Sequence, residues 1–424
     1  MRAMSADNPA VPKSSFKVDL WAIIATFGAY FCMYMYRKPF SAATFEELTF
    51  MGMAYKPIAL ISQVLGYTVS KFIGIKVISE LSPGKKVTYY LAMIAVAELA
   101  LILFGITPAP FNVVWLFLNG LPLGMVFGLV LSSLEGRMRT EALTAALCAS
   151  FVIADGVAKS SGLWLIGRGV SEQWMPAATG IMYLPGIILF GWMLSRISPP
   201  STADVEARSE RTQMDKTARR EFFRKFGFGL TLLITTYALV GVLRGVRSDF
   251  SREIWEAMGT KVDAALFSRS EFIVAIAVLI VIGFLVVIKD NAKAFQTGLI
   301  LSGSGLGIVI LSLLGRQAGI LSPFAFIVAI GFGLYLPYIA IHATVFERLI
   351  AYTREKATIG YLMYVADAVS YAALVGVFLL KNFGKADAAQ VLPFFLGLAW
   401  LVAVAGILML IPTARFFANK GRNA

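Results

Sequence analysis

The sequence predicts an all-α integral membrane protein in which twelve transmembrane helices form two pseudo-symmetric bundles of six. Three observations carry this prediction. The chain is 58% hydrophobic and its mean hydropathy is +0.75. Apolar stretches long enough to cross a bilayer recur along its length. A short motif centred on an aspartate occurs once in each half, inside an apolar stretch.

The composition excludes a soluble protein. Charged residues make up 15% of the chain, whereas soluble domains usually contain about 25%. Segment 1–17 is polar, and the apolar stretch that follows it runs past the length of a signal-peptide core without a convincing cleavage site. We therefore expect an uncleaved first helix. The net charge of +13 has no soluble basic domain to carry it, so we expect no nucleic-acid partner.

Windows of about 20 apolar residues locate the helices, since that length spans the hydrocarbon core of a bilayer. A polar stretch with Pro199 and Pro200 separates the sixth window from the seventh and indicates a linker. The predicted divisions are a tail at 1–17, a bundle at 18–197, a linker at 198–224, a bundle at 225–412 and a tail at 413–424. The predicted helices are 18–43, 56–80, 86–106, 110–134, 141–166, 174–195, 225–247, 270–288, 292–314, 319–346, 358–380 and 389–412.

The two halves share a motif that indicates an internal duplication. Segment 152–157 (VIADGV) reappears as 364–369 (YVADAV), and the same spacing carries Glu135 onto Glu347. Many secondary transporters place a substrate site between two such repeats. Lys and Arg in short loops mark the cytoplasmic side. Most of the loop lysines and arginines fall on one side when the N-terminus is inside, so we expect both termini in the cytoplasm.

Basic residues inside the apolar stretches are the candidates for function. A charge near the bilayer centre costs at least about 2.5 kcal/mol and persists where it faces protein or water. Arg37 and Arg244 lie on the first and seventh predicted helices, which occupy equivalent places in the two halves. The two arginines would converge on the pseudo-two-fold axis and clamp an anion between two guanidinium forks. The alternative is that Arg37 anchors its helix at the membrane interface. The full set is Arg37, Lys38, Lys71, Lys76, Lys159, Arg244 and Arg247.

Three segments resemble the organophosphate:phosphate antiporters, a branch of the major facilitator superfamily. Segment 66–73 (GYTVSKFI) is similar to that family's Tyr-Gly-x-Ser-Lys-Phe signature in the second helix. Segment 36–40 (YRKPF) resembles its first helix, in which an arginine precedes a basic residue, and segment 243–250 (LRGVRSDF) resembles its seventh. The family's histidine in the fifth helix has no counterpart here, where Ala154 and Asp155 stand.

The resemblance implies a major facilitator fold and an inner-membrane protein of a bacterium. It also implies roles for Arg37 and Arg244 as phosphate ligands and for Lys71 as a nearby pore cation. We add Lys159 and two neighbouring tyrosines, Tyr36 and Tyr67, to the predicted substrate site.

The intramembrane carboxylates admit two interpretations. Asp155 lies one helical turn before Lys159, so the two side chains can form an ion pair. Asp155 and its repeat mate Asp367 either bind protons during transport or hold helices together. His342, the single histidine of the sequence, either relays a proton or makes a helix–helix hydrogen bond.

The predicted gate lies at the cytoplasmic helix ends. Acidic and basic residues stand close together there in both halves, which suggests salt bridges that open and close: Glu135, Arg137, Glu347 and Arg348. Glycines in three helices predict close helix crossings: Gly120, Gly124 and Gly128; Gly303, Gly305 and Gly307; Gly331 and Gly333.

The sequence offers no catalytic triad, no paired histidines and no phosphate-cradling loop, so we expect neither an enzyme nor a bound metal or cofactor. The first expectation is a monomeric secondary transporter in the lipid bilayer that exchanges an organophosphate for phosphate by alternating access. A proton-coupled carboxylate or sugar-acid symporter is the second. A membrane sensor that binds a ligand without transporting it is an alternative of another class.

Overall fold

The computed structural model describes residues 16–46, 48–50, 52–79, 83–134, 137, 140–198, 216–353, 359–381 and 388–422. Within these ranges, twelve segments coincide with the predicted spans, which confirms the fold class. By length and hydropathy alone, ten helices of the described residues could cross a membrane.

The first half contains α1 to α6 and the second half α7 to α14, in which α8 and α12 are short. A short antiparallel hairpin precedes α2. Its two strands have two residues each, β1 Thr49–Phe50 and β2 Met53–Ala54. The helices are α1 Phe16–Tyr34, α2 Tyr55–Ser79, α3 Lys86–Ile106, α4 Val113–Leu131, α5 Thr140–Gly167, α6 Met175–Ser195, α7 Lys216–Asp249, α8 Ser251–Ala257, α9 Ala264–Val286, α10 Asn291–Gln317, α11 Pro323–Ile339, α12 Phe346–Thr353, α13 Ile359–Lys381 and α14 Ala388–Arg422.

The first helix ends earlier than the sequence predicted. It stops at Tyr34 and not at residue 43, and a 3₁₀ turn, Pro39–Ala42, follows. Proline has no amide hydrogen to donate and its ring clashes with the carbonyl four residues earlier, so an α-helix cannot continue through Pro39 unchanged. Arg37 therefore lies on a turn between two helical segments.

Other boundaries also differ from the predicted ones. The seventh span begins at Lys216, inside the predicted linker, and the last helix continues to Arg422, beyond the predicted end at 412. The tenth span is interrupted: α11 ends at Ile339, a π-helical turn covers Ala340–Val345, and α12 continues from Phe346. Such π-helical turns are rare and often occur at functional sites.

Contacts between helix ends define two faces of the molecule: the start of α1 meets the end of α6, the start of α3 meets the end of α4, and the start of α7 meets the end of α14. The face where α1 begins, α6 ends, α7 begins and α14 ends is called the terminal face, and the opposite one the far face. The two halves meet along α2 with α13 and along α5 with α9. The predicted topology makes the terminal face cytoplasmic.

Glycines bring several helices into close contact, as predicted for part of the set. Gly120 and Gly124 of α4 pack on the backbone of α2 at Gln63 and Tyr67. Gly305 of α10 packs against the carbonyl oxygen of Gly333 of α11. Gly307 has open space beside it, so this glycine does not serve a crossing.

Candidate functional site

Arg37 is buried between the two halves, 4% exposed. Its guanidinium carbon lies 3.9 Å from the ring centre of Tyr67 on α2 and 5.6 Å from that of Tyr371 on α13. The amide nitrogen of Gln63 donates to the Arg37 carbonyl oxygen at 3.1 Å and thereby fixes the turn. Arg37 thus faces the protein interior, as the first interpretation of the sequence required, and is not an exposed interfacial anchor.

Arg244 is a buried arginine that the second half contributes. It lies on α7, is 8% exposed, and its guanidinium carbon is 4.5 Å from the ring centre of Tyr338. The Nε atoms of both arginines and the Nη1 atom of Arg37 have no hydrogen-bond partner among the described residues. The ion pairs of the described residues include neither guanidinium. Both guanidinium groups therefore have N–H donors that are available to a ligand.

A narrow central cavity lies between the halves, beside the rings on which both arginines stack. Its free space is about 10 Å³, which is close to what one water molecule needs. Both halves supply its walls: Tyr30, Tyr34, Tyr67, Lys71, Phe127 and Phe151 from the first, and Tyr338, His342, Asp367 and Tyr371 from the second. Tyr36 is not among these residues, whereas Tyr67 is.

A chain of polar contacts crosses this cavity. Lys71 Nζ donates to Asp367 Oδ2 at 2.9 Å, and both side chains are buried. The Tyr237 hydroxyl donates to Asp367 Oδ1 at 2.7 Å and lies 3.0 Å from His342 Nδ1. His342 sits in the π-helical turn, and its Nε2 has no partner among the described residues. The sequence pointed to Lys71, Asp367 and His342 but did not identify Tyr237 as the residue that connects them.

Asp155 has different surroundings from its repeat mate. Lys159 Nζ lies 2.5 Å from Asp155 Oδ2, which is the predicted pair within one helix. The Ser248 hydroxyl of the other half donates to Asp155 Oδ1 at 2.7 Å, and Lys38 Nζ is 3.8 Å from the same oxygen. Lys159 is therefore part of a charged cluster toward the far face and does not line the central cavity.

Ion pairs toward the far face join the two halves. Lys38 Nζ lies 2.5 Å from Asp249 Oδ1, and Lys56 Nζ lies 2.5 Å from Glu253 Oε1. Lys38 is among the intramembrane cations that the sequence singled out, whereas no sequence pattern predicted a role for Lys56, Asp249 or Glu253. Lys56 lies in the first turn of α2, and the sequence predicted both acidic residues in a connection between helices. Such residues resemble ordinary loop charges, so the local pattern provided no signal.

The predicted gate is covered only in part. Glu135 lies outside the described residues. Arg137 donates to the carbonyl oxygen of Ser198, and Arg348 Nη1 donates to the side chain of Asn291 at 2.7 Å. Glu347 is placed in the first turn of α12. A gating role for these residues stays a prediction.

Both cysteines, which are candidate metal ligands, lie among the described residues. Cys32 and Cys148 are buried free thiols. The described residues contain no group of three His, Cys, Asp or Glu side chains arranged to hold a metal ion.

Comparison with known proteins supports the fold. The model of a protein family described as a family of unknown function (DUF5690) matches residues 39–420. No curated protein matches the chain. Among solved structures, the chain is similar to a D-xylose–proton symporter, with a TM-score of 0.61 and 15% identity over 94% of this chain and 97% of the other.

A second solved structure has the same architecture. It is that of a bacterial homologue of the human lysosomal transporter Spinster, in an inward-facing and unoccupied conformation, with a TM-score of 0.55 and 13% identity over 96% of this chain and 98% of the other. Identities this low show a shared fold alone, and the shared fold agrees with the predicted two bundles of transmembrane helices. Both similar structures are of transporters and not of enzymes.

Proposed function

The chain belongs to the DUF5690 family of unknown function, and from its fold and central site we propose that it is a secondary active transporter of a small anionic solute. The observation that carries the proposal is the pair Arg37 and Arg244. The two guanidinium groups come from opposite halves, are buried and have unused donors. Neither lines the central cavity itself, but each stacks on a tyrosine ring that does. Guanidinium forks match the oxygens of phosphate and carboxylate groups.

The arrangement of the two halves supports transport by alternating access. Ion pairs between the halves lie toward the far face, and the central cavity lies behind them. Separation of Lys38 from Asp249 and of Lys56 from Glu253 would open the cavity to that side. With the predicted topology, the far face is extracellular, the termini are cytoplasmic and the membrane is the bacterial inner membrane.

The first candidate reaction is exchange of an organophosphate for phosphate. Its support is the resemblance of segments 36–40, 66–73 and 243–250 to the organophosphate:phosphate antiporters. These segments carry Arg37, Lys71 and Arg244, and all three cations lie at or beside the cavity.

A second candidate is proton-coupled uptake of a carboxylate or a sugar acid. The observation in its favour is the hydrogen-bonded chain from His342 through Tyr237 to Asp367, because a carboxylate and an imidazole that share one hydroxyl can pass a proton between them. Both candidates use the same arginines as anion ligands.

Exchange in proteoliposomes tests the proposal. Vesicles that contain the purified protein and unlabelled phosphate are diluted into labelled phosphate at equal pH on both sides. Accumulation of label supports phosphate exchange. Uptake of a labelled carboxylate or sugar acid that requires an imposed proton gradient, without accumulation of phosphate, supports the second candidate. An Arg37→Gln variant should lose the activity and an Arg168→Gln variant should keep it, since Arg168 stacks on Trp164 away from the cavity. Equal activity of the two variants would refute the assigned site.

A further inference from the structure

The ion pair between Lys71 and Asp367 joins the two halves inside the candidate site. Lys71 belongs to α2 and Asp367 to α13, and their charged atoms are 2.9 Å apart. Lys71 is 2% exposed and Asp367 6%. The pair is thus a contact of the cavity itself and not of a surrounding loop.

The three cations of the site differ in what neutralises them. Arg37 and Arg244 contact aromatic rings and have no carboxylate within ion-pair distance among the described residues. Lys71, by contrast, already holds a carboxylate. The site therefore contains two kinds of cation: Arg37 and Arg244, which have no carboxylate partner among the described residues, and Lys71, which is paired with Asp367.

The cavity has no room for a solute while this pair is closed. About 10 Å³ is free, and Lys71 and Asp367 both form part of the wall. A phosphate or carboxylate group is several times larger than this space. Entry of an anion therefore requires residues of the cavity wall to move apart. An entering anion is attracted to Lys71, whose ammonium group is already paired with Asp367.

Asp367 keeps a hydrogen-bond donor when it leaves Lys71. The Tyr237 hydroxyl donates to its other oxygen at 2.7 Å. His342 lies 3.0 Å from that hydroxyl and orients it. A buried carboxylate that retains a donor costs less to release from its cation than one left without a partner.

We propose that Asp367 is a built-in counter-anion, which occupies Lys71 in the empty site and is displaced from it by the anionic group of the solute. This inference rests on the proposed transport of an anion. Three cations and one carboxylate leave an excess of two positive charges around the cavity. The solute class that balances this excess in a low-dielectric interior is a dianion.

Binding of inorganic phosphate to the purified full-length protein in detergent tests the inference. The readout is the phosphate concentration that gives half of the maximal thermal stabilisation. Asp367→Asn removes the competitor and should lower this concentration at least tenfold. Asp290→Asn is the matched control. Asp290 is the exposed N-cap residue of α10 and does not line the cavity, and asparagine caps a helix equally well. The half-stabilising phosphate concentration of this variant should stay within threefold of the wild-type value.

A double variant separates competition for Lys71 from a general effect. Lys71→Met combined with Asp367→Asn removes both charges of this pair together, so neither member is left as an unpaired buried charge. The half-stabilising concentration of the double variant should be at or above that of the wild type. A single Asp367→Asn variant that binds phosphate no more tightly overturns the inference, and so does a gain that persists without Lys71. If phosphate stabilises none of these proteins, the counter-anion and its solute class are both overturned. Binding with the expected order but without exchange in vesicles would refute the proposed transport alone.

Discussion

Lys38 and Asp249 connect the two halves of the molecule at positions next to the two arginines of the candidate site. Lys38 Nζ lies 2.5 Å from Asp249 Oδ1, and Lys38 also donates to the Ser248 hydroxyl at 2.9 Å. Lys38 follows Arg37 directly in the chain, and Asp249 lies little more than one helical turn after Arg244. A movement of one half against the other that separates this pair therefore also shifts the two guanidinium groups relative to each other.

Removal of one member of this pair should destabilise the protein strongly. Lys38 and Asp249 are each 4% exposed, so Asp249→Asn removes the nearer carboxylate of a buried ammonium group and leaves only the more distant one of Asp155, at 3.8 Å. Loss of one partner of a buried pair costs about 3–5 kcal/mol, and we expect the free energy of unfolding, measured by SDS titration in mixed micelles, to fall by about that amount. Glu256→Gln breaks the exposed pair with Arg252 and should cost less than about 1 kcal/mol. Equal losses in the two variants would contradict the buried pair.

The fold was predictable because the bilayer imposes a simple length and hydropathy rule on each helix. The end of the first helix was not predicted correctly, since apolar residues at 40, 42, 43 and 45 continue the hydropathy signal past Pro39, where the backbone cannot continue the helix. Hydropathy alone does not record the missing amide hydrogen.

Most contact partners of the two repeated aspartates could not be predicted from the local sequence. The motifs around Asp155 and Asp367 are nearly alike, yet Asp155 contacts Lys159 and Ser248 while Asp367 contacts Lys71 and Tyr237. Apart from Lys159, these partners come from other helices, so only the three-dimensional arrangement identifies them. The sequence left packing and coupling open for both residues, and the structure gives them different surroundings.

Replacement of either central arginine by lysine should impair anion exchange although the charge is kept. An ammonium group is a point charge and cannot present two parallel donors to one anion. We expect Arg37→Lys and Arg244→Lys each to lower the rate of labelled-phosphate exchange in proteoliposomes at least about tenfold. Arg168→Lys, on the exposed stack with Trp164, provides the control and should retain the wild-type rate. Full activity of both central variants would show that the guanidinium geometry is not used.

Loss of the Tyr237 hydroxyl should destabilise the protein more than loss of a hydroxyl with one partner. Tyr237 is fully buried and its oxygen contacts both Asp367 and His342. Tyr237→Phe removes one hydrogen-bond partner from Asp367 and one from His342. The free energy of unfolding should therefore fall by about 1–3 kcal/mol. The control is Tyr183→Phe, whose hydroxyl meets Ser161 at 3.1 Å in a partly buried position and should cost less than about 1 kcal/mol. A smaller loss at Tyr237 than at Tyr183 would argue against the polar chain.

Addition of a methyl group at the crossing of α2 and α4 should separate these helices. A Cβ atom at Gly120 would collide with the carbonyl oxygen of Gln63 and lie 2.9 Å from the Tyr67 amide nitrogen, and neither backbone atom can move without α2. Gly120→Ala should therefore lower the free energy of unfolding by about 2 kcal/mol or more. Because the Tyr67 ring contacts the Arg37 guanidinium, phosphate binding should weaken in the same variant.

Gly307→Ala is the matched control, since nothing lies within 4 Å of its Cβ position in α10. There alanine should be neutral or stabilise by up to about 1 kcal/mol. If Gly120→Ala proved as stable as Gly307→Ala, the close approach of α2 and α4 would be wrong, and with it the backbone that positions Tyr67 beneath Arg37.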